Sequence, residues 1–167
     1  MALAEAILLW LHIVSAVGWL GSLMVFGMLI APTLPSLAPA NRAELVVNLF
    51  PKFARYAIVF TVITPIFGVA TMLDISNGNF AIFNPSTSSF SMYITAGALL
   101  TLVTWVVGFG LVLPTVFKIV RLTEAMSGGG PPSPDLARAT TRLRVASGIV
   151  VVLLLIVLYL MVAAVTA

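Results

Sequence analysis

Cysteine is absent from the sequence. That excludes disulfides, thiolate metal sites and cysteine-ligated iron–sulfur clusters. Histidine occurs once, at His12, so one chain cannot supply the two or three imidazoles that a zinc or copper(II) site wants. Charge is scarce, at 8% of residues. Positive charge is missing from whole segments: no Lys or Arg precedes Arg42, none lies between Arg55 and Lys118, and none follows Arg144. There are no paired carboxylates, no nucleophile triad and no phosphate-binding glycine loop, which argues against soluble-type hydrolytic or transferase chemistry. No Lys or Arg precedes the first apolar run, and that run is too long for a signal peptide. It reads as a retained membrane span.

What the chain has in their place is apolar bulk. Apolar residues make up 61% of it and mean hydropathy is +1.19, which defines an integral membrane protein. The net charge of +3 does not point to nucleic acid, because the basic residues cluster at membrane edges. The pattern predicts an all-α, four-span bundle in a single domain, with spans at about 3–30, 52–73, 92–116 and 145–165. Pro32 and Pro35 are expected to end the first span. Asn41 and Glu44 suggest a capping-box variant that starts a short helix over 42–50, laid on the membrane surface by Val46, Val47 and Phe50. Pro51 separates that helix from span two or kinks it in. Pro65, inside span two, removes the bond to the Thr61 carbonyl and should kink the helix. Ser89 or Ser91 can cap span three, which Pro114 kinks near its end. The glycine and proline run at 127–132 reads as a flexible break, and Ser133-Pro134-Asp135 as the start of the last helix.

All eight Lys and Arg fall in or beside the first and third connections. The positive-inside rule then places both termini on the extracytoplasmic side of a multi-pass protein of the cell membrane. A weak internal repeat is also visible. Arg55 precedes Met72, and Arg144 precedes Met161, by the same interval, with Trp19 and Trp105 in the spans before them. This suggests a duplicated two-helix unit, in which only the first unit has a histidine.

His12 is the one ionisable side chain inside the first span, and such groups are costly enough to be read as functional. On a helix it shares a stripe with Ala16, Trp19, Leu23, Phe26 and Ile30, with Ser15 and Gly27 at the edges. Gly18 and Ser22 form a small-xxx-small pair on a neighbouring face. Three readings follow: a packed histidine with one interhelical hydrogen bond, an axial ligand to haem or metal, or a proton relay. Gly68, Gly97 and Met161 lie at similar depth. Small residues there leave room either for a flat macrocycle or for close helix packing. A haem needs one or two axial ligands, and His with Met is an accepted pair. Met161 is the first choice for the second ligand, with His12 of a second copy as the alternative. The ring's other nitrogen needs an acceptor, for which the Leu8 carbonyl or the Ser15 hydroxyl is within reach. Met24 and Met28 could form a thioether pair for copper(I), but one lying about 18–24 Å along the helix from His12.

His12, then Trp19-Leu20-Gly21 and a proline just past the span, resembles the first helix of CopD-like membrane domains and of a related group of four-helix integral membrane proteins. Lys52-Phe53-Ala54-Arg55 leading into an apolar helix with Gly68 looks like the second helix of that group. The resemblance covers mainly residues 9–73. It implies a helical membrane bundle that handles copper or binds b-type haem. A more distant likeness is to HemJ-type protoporphyrinogen oxidases, which share a first-helix histidine followed by tryptophan. Those also rely on a lysine in a later helix, whereas Lys52 and Lys118 here sit at the membrane edge. The expected function is a haem b protein of electron transport or a redox subunit, with His12, Met161, Gly68, Gly97 and Trp19 around the cofactor. If it is an enzyme, it is a membrane oxidoreductase. The alternatives are a copper-handling or small-ion transporter and a structural subunit of a membrane complex. The expected partners are the lipid bilayer, a homodimer or a larger membrane complex.

Overall fold

The computed structural model describes residues 3–126 and 133–167. Four long helices account for nearly all of them: α1 (Leu3–Ser36), α2 (Pro39–Ile75), α3 (Ser89–Met126) and α4 (Pro134–Thr166). Each is long and apolar enough to cross a membrane, and each contains one expected span. Helix is the element that satisfies every backbone group within one segment, which hydrocarbon requires. No strand occurs among the described residues, so the all-α four-helix expectation holds. The break at 127–132 lies outside the described residues.

The helices are longer than the spans. At about 1.5 Å per residue, the 37 residues of α2 reach about 55 Å, well beyond a ~30 Å hydrocarbon layer. The excess lies at the end carrying the basic residues. There the expected surface helix over 42–50 is not separate. Pro39–Ile75 is continuous, with Pro51 and Pro65 inside it. Val46 and Phe50 are 2% and 0% exposed, so they face the bundle and not a membrane surface. They join Leu34, Ile119, Ala139 and Leu143 in a core at the basic end. Phe26 packs against Phe50 and Phe53 there, with ring centres at 4.5 and 4.8 Å. Asn41 is not a cap: the helix starts at Pro39 after Ala38, with proline at the first helical position and no side-chain cap.

Helix α1 packs along α2, and α3 along α4; α2 meets α3, and α1 meets α4, to close the ring. The α2–α3 contact is concentrated in the basic half. Two π-helical turns interrupt the ladders, at Val25–Ile30 in α1 and Gly108–Val112 in α3. Both close on the residue before a proline. Ala31 N–H reaches the Phe26 carbonyl just before Pro32, and Leu113 N–H reaches the Gly108 carbonyl just before Pro114. A proline ring clashes with the carbonyl four residues back and offers no N–H, and a widened turn relieves both. Pro32 therefore does not end α1; the helix runs on and closes in a tight turn at Leu34–Ser36. The matched turns, and the matched pairs α1/α2 and α3/α4, are what a duplicated two-helix unit related by an axis along the membrane normal would give.

At the other end, Asn77 (φ 51°) and Gly78 (φ 78°) take left-handed backbone, and Gly78 N–H bonds the Leu73 carbonyl at 2.7 Å to finish α2. Ser88, not Ser89 or Ser91, caps α3, its hydroxyl accepting from Ser91 N–H at 3.1 Å. Ser133 caps α4 as expected, accepting from Asp135 N–H at 3.2 Å.

Candidate functional site around His12

The site is built on one turn of α2. Pro65 cannot donate to the Thr61 carbonyl, so that oxygen is open to another donor. Trp105 of α3 takes it: its indole N–H donates to the Thr61 carbonyl at 2.9 Å. Three residues on, the Thr64 carbonyl accepts from Nδ1 of His12 at 2.9 Å. One proline-opened turn thus holds α1 through an imidazole and α3 through an indole. Thr61 and Thr64 are both buried, 8% and 5% exposed, where an N–H···O bond weighs more than in water.

Gly68 explains how a ring reaches a helix carbonyl. The Thr64 carbonyl points along the helix toward residue 68, and a side chain there would cover it. A Cβ placed on Gly68 would lie 2.8 Å from His12 Cε1 and 3.0 Å from Nδ1. The notch left by glycine is filled by the imidazole itself. Ser15 is not the ring's partner, since its hydroxyl donates to the His12 carbonyl at 2.9 Å. The Leu8 carbonyl is not the partner either. The acceptor that neither expectation named is the Thr64 carbonyl, with Gly68 one turn on as its local sign.

The tautomer follows. A carbonyl oxygen only accepts, so Nδ1 carries the proton of this bond and Nε2 is the nitrogen it leaves over. Nε2 is not among the buried polar atoms lacking a partner; those are Arg42 Nε and Ser147 Oγ. His12 as a whole is half-buried.

The other expected site residues divide between the two helix pairs. Gly97 is buried on α3, and a Cβ there would collide with the Met161 methyl of α4. Trp19 is 4% exposed and packs with Leu23, Val150, Val151 and Leu154, away from the solvent and lipid. Gly18 faces the ring of Phe60, whose Cδ1 would be 2.6 Å from an added Cβ. Met24 and Met28 are 39% and 58% exposed, on the outside of the π turn region. Among the described residues no group of three or more His, Cys, Asp or Glu could hold a metal ion.

These positions bear on a haem. The ligand atom fits: Nδ1 is anchored and Nε2 is free to bind iron. A cradle between the helices does not fit. The two glycine notches are already filled, one by the His12 ring and one by the Met161 methyl. The cavity inside the bundle, beside Trp19, Thr61 and Val150, holds about 60 Å³. A cofactor pocket of about 300 Å³ or more is the usual need.

No family model, curated protein or solved structure matches the chain.

Proposed function

We propose that the chain is a multi-pass protein of the cell membrane, with both termini outside, that binds b-type haem not inside one bundle but between two copies, through Nε2 of each His12, and serves electron transfer. The single supporting observation is the Nδ1–Thr64 bond at 2.9 Å, which fixes the ring and leaves one nitrogen as a ligand. Bound there, haem supplies one-electron chemistry. The chain's own part is to hold the imidazole. Gly68 admits the ring, Thr64 fixes its tautomer and direction, and Pro65 and Trp105 brace the turn that carries both. His12 of a second copy would hold the other side of the group, since the Met161 methyl packs in the Gly97 notch. An imidazole on each side requires an isologous contact that brings both copies to one depth.

A second reading has its own support. The ring filling Gly68 and bonding Thr64 already accounts for His12 as a clasp between α1 and α2, as in a structural subunit. His12→Gln separates the readings, because glutamine can donate to Thr64 but has no ligand nitrogen. Protein expressed with haem supply is expected to show a Soret band and a sharp reduced α-band at half a haem per chain. Those bands should be lost in His12→Gln and in His12→Ala, and kept in Trp19→Phe. Wild-type protein without haem under these conditions overturns the haem reading and leaves the clasp.

A further inference from the structure

A groove of about 610 Å³ runs along the outside of α4 at the basic end, and nothing in the haem reading uses it. Its polar end is Arg138, Thr141 and Arg142; its apolar end is Val145 and Ile149 of α4 and Leu111 of α3. Arg138, Arg142, Val145 and Ile149 advance by four, three and four residues, so they form one stripe of the helix. From Arg138 to Ile149 the stripe is about 16 Å long. The facing wall is Leu111, which projects from the π turn Gly108–Val112.

Charge and polarity change along the same line. Arg142 is exposed and has no carboxylate partner among the described residues. Arg138 has Asp135 at 3.5 Å, a pair with side chains 81% and 55% exposed and so weakly held. Two guanidinium groups and a hydroxyl present donors suited to a phosphate, and the groove then descends into the most apolar helix of the four. We propose that this groove binds an anionic phospholipid, with the phosphate between Arg138 and Arg142 and an acyl chain along Leu111, Val145 and Ile149. The occupant is a lipid because the groove needs one molecule with a negative head and an apolar tail, lying along the membrane normal. A soluble phosphate covers the head and leaves the apolar floor bare.

The test is native mass spectrometry of the full-length protein in detergent, titrated with phosphatidylglycerol and with phosphatidylcholine. Wild type is expected to bind phosphatidylglycerol about tenfold more tightly, in line with the attraction of basic side chains for anionic lipid. Arg138→Gln with Arg142→Gln should abolish that preference. Ile149→Trp, which fills the apolar end and leaves both charges, should weaken binding of both lipids. Arg144→Gln, which removes a charge about 200° round the helix from Arg142, should change neither. Millimolar glycerol phosphate should not displace the bound lipid. Loss of preference in Arg144→Gln equal to that of the double variant would reduce the effect to bulk surface charge and overturn the site. So would displacement by glycerol phosphate, tight lipid binding by Ile149→Trp, or no preference in wild type.

Discussion

Gly68 and Gly21 test what a missing side chain does in this bundle. A methyl on Gly68 would drive the His12 ring off its notch, adding a lost hydrogen bond of about 1 kcal/mol to an overpacking cost of about 1–3 kcal/mol. Gly21, on the same helix as His12, has open space where its Cβ would be. Gly68→Ala is therefore expected to lose at least about 2 kcal/mol in reversible unfolding from mixed micelles. Gly21→Ala should be neutral or gain up to about 1 kcal/mol from helix propensity. Equal effects at the two positions would mean that the ring is not held where the geometry has it. Ser147 offers a converse case. Its hydroxyl is buried, 1% exposed, with no partner, facing Gly27 in the π turn. Removing an unsatisfied buried hydroxyl relieves its desolvation cost, so Ser147→Ala should unfold no more easily than wild type, and up to about 1 kcal/mol less easily. A clear loss of stability in that variant would show that the hydroxyl does find a partner.

Within the elements, Pro65 separates what the sequence revealed from what it hid. That Pro65 would free the Thr61 carbonyl follows from covalent chemistry alone. Which group would take up the oxygen depends on how α3 is rotated against α2, and no single-chain pattern carries that angle. The same holds for His12. Its helix, depth and need for an acceptor were legible, but the acceptor lies on another helix, 52 residues away. The π turns had a local signal, a proline inside a long apolar stretch soon after a glycine, in Gly27–Pro32 and again in Gly110–Pro114. Reading Pro32 as an end and Pro114 as a kink missed that a helix in hydrocarbon widens before it breaks, since breaking would strand carbonyls. The 42–50 stretch was misread for a related reason: Val46 and Phe50 have the spacing of a surface helix, and only the packing of α3 and α4 shows that their apolar face is covered. The coupling through Pro65 is measurable by a double-mutant cycle. Trp105→Phe should cost about 1–2 kcal/mol in wild type and close to nothing in Pro65→Ala, where the restored amide of residue 65 occupies the Thr61 carbonyl. The same cost in both backgrounds would mean that the indole and the proline act independently.

For the whole molecule, the open quantity is which side of the membrane each end faces. Four antiparallel helices put the first and third connections at one end, and both termini with the second connection at the other. The eight Lys and Arg all belong to the first end, and the asymmetry is total. Placing the basic end outside would set all of those charges against the positive-inside bias. The basic end also carries a hydrophobic core that runs from the span ends at Phe26, Ala54 and Val116 into the helix extensions at Leu34, Val46 and Leu143. The absence of cysteine makes the test clean, because any thiol is an introduced one. Asn79, exposed in the second connection, and Ala40, exposed at the start of α2, lie at opposite ends of the bundle. In intact cells, Asn79→Cys is expected to react with an impermeant maleimide and Ala40→Cys is not, whereas both react once the cells are opened. The opposite labelling would place His12 in the half of the membrane facing the cytoplasm and the Arg138–Arg142 groove in the outer leaflet. Labelling of both in intact cells would mean that the two ends share a compartment, which four odd-even spans cannot satisfy, and would remove a span from the topology.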